Sequence, residues 1–271
     1  MQKYLFLALA AFALTFVACE NKTLNEPKDP TTQDSIVTPD DLNIKDYVGT
    51  TWFLDSVSVG SRTSTHMCQP IFLLSETEIQ LGNNVGSFRY EQGNLYISMD
   101  GEIETKYEIV SLDEKGTVVK AGQDPNVRTY YISALPTLDR SKQNTISEAA
   151  LLGKYKMVIG SMTQTNADGS VETSYTTGGM ITWMTFKEDH KMLYEDSSSN
   201  PDMEGIWELN VAEKKICFGT YSSLADMHEY GHPKDILVFN DDYLVTGEDY
   251  DYDPSMGMTH RHYESVFVRV Q

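Results

Sequence analysis

The sequence has few cysteines and few basic residues, and it has only one long apolar run. Three cysteines in 271 residues are too few for the disulfide framework of a small secreted scaffold. With 21 Lys and Arg against 40 Asp and Glu, the net charge is −19, which repels nucleic acid and excludes it as a partner. Because no second long apolar run follows the N-terminal one, we expect no transmembrane helix after it.

The composition is nevertheless that of a folded protein. Hydrophobic residues make up 40% of the chain and aromatic residues 11%, which is enough for apolar cores and too much for a disordered chain. A chain of this length accommodates one large domain or two ordinary ones. The surplus of acidic residues makes the surface soluble and could also attract cations.

The N-terminus has the pattern of a bacterial signal peptide. A short basic segment, Met1–Lys3, precedes an apolar run from Tyr4 to Val17 that has the length of a signal h-region and is short for a bilayer span. The run ends in Phe16-Val17-Ala18-Cys19, which resembles the lipobox of bacterial lipoproteins. That resemblance implies a signal peptide cleaved after residue 18 and a Cys19 that is acylated, although an ordinary signal peptide before a chance cysteine stays an alternative.

If Cys19 is lipidated, its acyl chains anchor the protein to a membrane of the cell envelope, and we expect the outer membrane. Residues 19–37 are polar, contain two prolines and have little to bury. This composition is typical of a flexible tether between an anchor and a folded body.

Two later segments begin alike. At Thr38 and again at Thr145, a Thr is followed three residues later by an acid, then by a short apolar stretch and a Gly. The pattern predicts a short helix with Thr as its N-cap and Gly as its stop, followed by a strand. The repetition predicts two domains, residues 38–135 and 145–271, with a linker at 136–144.

Within each domain, short strand patterns recur at regular spacing and are separated by turn residues such as Asn166-Ala167-Asp168-Gly169. The spacing predicts an all-β protein made of two small antiparallel up-and-down barrels in tandem, each opened by a short helix and without further helices. We expect each barrel to be closed, because closure of the sheet removes exposed strand edges.

Three motifs of the second domain carry a resemblance to a family. They are Leu152-Gly153-Lys154-Tyr155 at its start, Gly205-Ile206-Trp207-Glu208-Leu209 in its middle and Phe267-Val268-Arg269 near its end. Together they resemble the lipocalin-like domains of Gram-negative envelope lipoproteins. The first domain matches less closely, since Gly49-Thr50-Thr51-Trp52 has one extra residue. The resemblance covers roughly residues 42–271 and implies a fold and no activity.

The sequence has no recognisable catalytic or cofactor motif. It contains no Gly-x-Ser-x-Gly elbow, no Cys–His signature and no glycine-rich phosphate loop. We therefore expect no enzyme, no catalytic residue and no bound organic cofactor.

The C-terminal region concentrates residues that could bind a metal ion. The candidate ligands are Asp249, Asp251, Asp253, His260 and His262. On a strand, His260 and His262 share one face, and the three aspartates alternate as in the first half of a calcium loop, without its central Gly. We expect at most weak binding of a divalent cation. The alternatives are a solvated acidic loop beside surface histidines, or a loop whose Tyr250 and Tyr252 stack on a sugar.

Two functions remain open. In the first, the protein is a non-catalytic binding module that holds a small apolar ligand in a barrel mouth, which needs an interior lined by small residues. In the second, it is a structural or interaction protein of the envelope whose barrels are filled by large side chains. Trp52, Trp183 and Trp207 favour the second.

Overall fold

The computed structural model describes residues 43–60, 62–65, 69–99, 101, 103–113, 115–123, 126–176, 182–196 and 202–270. The predicted signal peptide, Cys19, the tether to residue 37, the predicted N-cap Thr38 and Cys68 lie outside the described residues. Within those ranges, no helix is long and apolar enough to cross a membrane.

The first barrel contains nine of the described strands. They are β1 (Thr51–Val59), β2 (Arg62–Thr65), β3 (Pro70–Leu73), β4 (Glu78–Leu81), β5 (Asn84–Glu91), β6 (Asn94–Met99), β7 (Thr105–Leu112), β8 (Gly116–Ala121) and β9 (Arg128–Ala134). Eight of them close an antiparallel barrel, because β9 pairs back onto β1. The other strand, β2, pairs with the end of β1 beyond β3 and was not predicted from the sequence.

The second barrel repeats this arrangement in the described part of the chain. Its strands are β10 (Gly153–Asn166), β11 (Val171–Tyr175), β12 (Thr182–Phe186), β13 (Lys191–Asp196), β14 (Met203–Asn210), β15 (Lys215–Gly219), β16 (Lys234–Phe239), β17 (Tyr243–Asp251) and β18 (Met258–Val270). Here β18 closes onto β10, and β11 extends along the far end of β10. The prediction of two closed antiparallel barrels in tandem is thus confirmed, while the exact domain limits stay predictions.

Short helices accompany the strands. A 3₁₀ helix (Ile44–Tyr47) precedes the first barrel and α1 (Glu148–Leu151) precedes the second; α2 (Leu224–Tyr230) and a second 3₁₀ helix (Pro254–Met256) lie within the second barrel's connections. The N-cap predicted for the second opening was wrong by two residues. Ser147, in an extended conformation, accepts a hydrogen bond from the backbone amide of Ala150 at 3.2 Å, so the helix begins after Ser147 and not after Thr145.

Helix α2 contradicts the expectation that no further helix would occur. The hydroxyl of Ser223 accepts a hydrogen bond from the backbone amide of Asp226 at 3.1 Å, which caps the helix. Met227 is 1% exposed, and its backbone and side chain lie close to Gly231, as does the thiol of Cys217. Capping and burial therefore stabilise a helix too short to be recognised by periodicity. Cys217 is a buried free thiol.

Large side chains fill the second barrel. Tyr155, Phe186 and Trp207 are at most 1% exposed, and the Phe186 ring centroid lies 5.6 Å from that of Tyr155 and 5.3 Å from that of Trp207. Trp52 belongs to the corresponding core of the first barrel. Trp183 does not fill an interior, contrary to expectation: it alternates with the buried Met184 along β12, and the ammonium groups of two lysines lie near its ring.

An apolar cluster joins the outer faces of the two barrels. Phe53 of β1 contributes from the first barrel, and Val158, Val238, Tyr243, Val245 and Val266 contribute from the second. Leu135 and Leu138 of the connection pack against the same cluster. Burial of this surface holds the described parts of the two barrels together.

Candidate binding site at the mouth of the second barrel

The two ends of the second barrel differ. At one end, where β10 begins and β18 finishes, the fully buried Leu151 of α1 packs into the core. The guanidinium of Arg269 fastens this helix by donating hydrogen bonds to the carbonyl oxygens of Ala150 at 3.0 Å and Leu152 at 2.7 Å. This end is therefore closed. The opposite end, where β17 finishes at Asp251 and β18 begins at Met258, is the mouth.

The register of β17 against β18 separates two sets of side chains at the mouth. Leu244 and Phe267 are paired and both belong to the interior core. Because side chains alternate along a strand, the later pairs Glu248–Tyr263 and Tyr250–Arg261 continue on the inner face. The pairs Asp249–His262 and Asp251–His260 consequently lie on the outer face.

The outer face gathers four of the five predicted metal ligands. Oδ1 of Asp249 lies 2.8 Å from Nδ1 of His262 and 3.0 Å from Nε2 of His260, while Oδ1 of Asp251 lies 3.0 Å from Nδ1 of His260. The hydrogen bond with His262 is the largest of the influences that lower the pKa of Asp249. The hydrogen bond with Asp251 is the largest of those that raise the pKa of His260. The cluster is thus a hydrogen-bonded network of imidazoles and carboxylates.

The fifth predicted ligand has another role. Oδ1 of Asp253 accepts a hydrogen bond from the backbone amide of Ser255 at 2.8 Å and caps the second 3₁₀ helix, and this bond lowers the pKa of Asp253. Across the described ranges, no group of three or more His, Cys, Asp or Glu side chains is arranged to hold a metal ion. Binding of a divalent cation stays a prediction.

The inner face of the mouth borders a cavity of about 330 Å³. It is lined by Lys234, Glu248, Tyr250, Tyr252, Tyr263 and Ser265. The ammonium group of Lys234 forms an ion pair with the carboxylate of Glu248, and the two side chains are 26% and 15% exposed. Burial lowers the pKa of Lys234. A cation and an anion thus compensate each other at the mouth.

Tyrosine rings make up much of the remaining wall. The hydroxyl of Tyr250 donates a hydrogen bond to Oε2 of Glu248 at 2.6 Å, and the Tyr250 ring meets that of Tyr263 edge to face, with centroids 5.6 Å apart. The guanidinium of Arg261 lies 5.3 Å from the Tyr252 centroid and donates through Nε to Oε1 of Gln164 at 3.0 Å. These contacts fix the orientation of the rings.

Sequence reasoning missed most of this site. Glu248 was not among the predicted ligands; it lies on the face opposite to the histidines and pairs with Lys234. Another histidine, His228, lies away from this cluster in α2, with its Nε2 2.7 Å from Oε2 of Glu208. The alternation of β17 was the available signal, because Glu248, Tyr250 and Tyr252 share a face that the aspartates do not.

Comparisons with known proteins add little. No family model matches the chain, and no curated protein matches it. One similar solved structure is the crystal structure of a protein of unknown function from the DUF3598 family of Nostoc punctiforme. It is 10% identical, the match covers 82% of this chain and 96% of that one, and the TM-score is 0.23.

Proposed function

We propose that the protein is a non-catalytic binding module of the cell envelope that holds one small ligand at the mouth of its second barrel. The observation that carries the proposal is the cavity of about 330 Å³ bordered by inward-facing tyrosines and a partly buried ion pair. Ligand sites combine apolar and aromatic walls with a few placed polar groups. In this proposal the protein is anchored to a membrane by a lipid on Cys19, and the lipobox-like motif that ends at Cys19 supports that anchor.

The filled core restricts the location of the ligand, and the residues at the mouth restrict its chemical character. Because Tyr155, Phe186 and Trp207 occupy the centre, a small apolar molecule has no room deep in the barrel. At the mouth, a purely apolar ligand would cover the partly exposed Lys234 and Glu248 without offering them a hydrogen-bonding group, which is unfavourable. We therefore propose a ligand that has both an apolar face and hydrogen-bonding groups.

The second candidate is a structural or interaction protein of the envelope without a small-molecule ligand. The side-chain-filled cores favour it, because small barrels are often just wide enough to be filled. Both candidate functions are compatible with a barrel centre filled by side chains. They differ in whether a small molecule occupies the mouth of the second barrel.

Native mass spectrometry of protein purified from its own host separates the two. A binding module shows a copurified small molecule of constant mass, and this adduct is lost in Tyr263→Ala. The matched control is Tyr131→Ala, a half-exposed tyrosine of the first barrel, which keeps the adduct. A protein that carries no adduct, or carries only a partner chain, supports the interaction protein.

A further inference from the structure

The charges at the mouth restrict the ligand. Among the described residues that line the cavity, Lys234 is the one cation and Glu248 the one anion, and they pair with each other. The nearby guanidinium of Arg261 is engaged by the Tyr252 ring and by Gln164. An anionic ligand would have to displace Glu248 and approach a protein of net charge −19, and a cationic ligand would have to displace Lys234. Removing one partner of a partly buried ion pair is unfavourable because it leaves the other charge uncompensated. The site therefore favours a neutral ligand.

The other wall groups restrict the ligand further. Three phenol rings present flat apolar surface, and their hydroxyls, together with that of Ser265, can donate and accept hydrogen bonds. A ligand complementary to this wall has a C–H face to pack on a ring and hydroxyl groups around its rim. A flat aromatic molecule would match the rings but would leave the polar groups of the ion pair without new partners.

Resting on the function proposed above, we infer that the mouth of the second barrel binds a neutral sugar ring. A pyranose has a C–H face and a rim of uncharged hydroxyls, as the wall requires. The cavity of about 330 Å³ is at the small end of the range for ligand sites, which fits one or two sugar units. In this arrangement Tyr250 and Tyr263 pack against the ring, and Lys234, Glu248 and Ser265 bind its hydroxyls.

The test is titration of the detergent-solubilised full protein, followed by saturation-transfer NMR and calorimetry. The probes are the methyl glycosides of glucose, galactose, mannose and N-acetylglucosamine and their common disaccharides. Glucuronate and glucosamine serve as charged counterparts, and benzyl alcohol as an aromatic probe without a sugar rim. At least one neutral sugar is expected to bind, and its charged counterpart to bind about tenfold more weakly or not at all.

Variants locate the binding. Loss of an aromatic contact in Tyr250→Ala or Tyr263→Ala should weaken sugar binding by about tenfold, while Tyr250→Phe keeps the ring and loses less. Tyr131→Ala, in the first barrel, should bind as the wild type does. Circular dichroism of each variant establishes that it is folded.

Two results overturn the inference. One is that no neutral sugar binds, and the other is that sugar binding is unchanged in both alanine variants. If no sugar binds but a copurified adduct is still lost in Tyr263→Ala, the ligand class is wrong and the proposed function stands. If no sugar binds and no copurified adduct is found, both the sugar inference and the proposed function are wrong.

Discussion

The ammonium group of Lys156, on the second barrel, forms an ion pair with the carboxylate of Asp55, on the first. The Lys156 side chain is 12% exposed and its ammonium lies 4.4 Å from the ring centroid of Phe53. Phe53 belongs to the apolar cluster between the barrels. A charge is therefore held at the edge of an apolar interface, where its counter-charge matters more than at an open surface.

Removing the two members of this pair should have unequal effects. Asp55→Asn leaves the Lys156 ammonium poorly solvated and without its partner, and since Asp55 is 40% exposed, solvent screening limits the loss to about 1–2 kcal/mol. Lys156→Met removes the charge and keeps the apolar contacts with Phe53, so it should cost less. Urea unfolding measures both.

The control for that pair is Glu76→Gln, since Glu76 pairs with Lys45 at an open surface, where the side chains are 58% and 67% exposed. It should leave the unfolding midpoint unchanged. A larger loss in Lys156→Met than in Asp55→Asn would contradict the expectation that the uncompensated charge of Lys156 is the main cost of breaking the pair.

Two buried tyrosines should respond oppositely to loss of the hydroxyl. The Tyr155 hydroxyl is buried and has no hydrogen-bond partner among the described residues, so Tyr155→Phe removes an unsatisfied polar group and should be neutral or stabilising by about 1 kcal/mol. The Tyr243 hydroxyl donates to the carbonyl oxygen of Pro136, so Tyr243→Phe should cost about 1 kcal/mol. Thermal and urea unfolding measure the stabilities of the two variants. A larger loss of stability in Tyr155→Phe than in Tyr243→Phe would refute the hydrogen bonding described for the two hydroxyls.

The fold could be predicted because local patterns agree with the barrel. The motif Gly205–Leu209 alternates as a half-buried strand should, and β14 (Met203–Asn210) contains it. Strand lengths were less predictable. The strand expected after the second short helix extends as far as Asn166, because β18 pairs with β10 along its whole length. That pairing joins residues about 100 positions apart, and no local pattern reveals it.

The site could be predicted only in part. The pattern of aspartates and histidines identified the correct pair of strands, since Asp249, Asp251, His260 and His262 do meet. The metal-site hypothesis named outer-face residues, whereas the alternative of a sugar stacked on Tyr250 and Tyr252 named two residues of the inner wall. Lys234 reaches the mouth from a third strand, β16, and its pairing with Glu248 follows from the sheet register.

If Cys19 is lipidated, as proposed, its acyl chains would hold the protein on a bilayer, and Cys19→Ala should be released from the membrane fraction or not be processed. Fractionation of cells, together with mass spectrometry of the mature N-terminus, checks this. Cys217→Ala, at a buried thiol of the second barrel, should remain at the membrane. A Cys19→Ala protein that is matured and still fully membrane-bound would rule out the anchor.

Divalent cations should bind the outer face weakly. Both imidazoles already make hydrogen bonds to Asp249 and Asp251, and a metal ion would have to replace these bonds with its own. Calorimetric titration with Ca²⁺, Zn²⁺ and Cu²⁺ should detect weak heat at most, abolished in His260→Ala and Asp251→Asn. Tight binding retained in both variants would place the metal elsewhere.

The outer-face network should make stability depend on pH in both directions. The pKa of His260 is raised, so its contribution is complete below the unfolded pKa of about 6.5 and is lost as the pH rises through the folded value. The pKa of Asp249 is lowered, so its contribution is complete above an unfolded pKa of about 3.9 and is lost as the pH falls through the folded value. Both contributions are therefore complete between about pH 4 and about pH 6.5.

Thermal unfolding should give a higher midpoint at about pH 5.5 than at about pH 8, and His260→Asn should reduce that difference. His232→Asn, at an exposed histidine outside the network, should keep it. If His260→Asn and His232→Asn behave alike, the pH dependence arises elsewhere in this acidic protein, because only the first substitution breaks the contacts with Asp249 and Asp251.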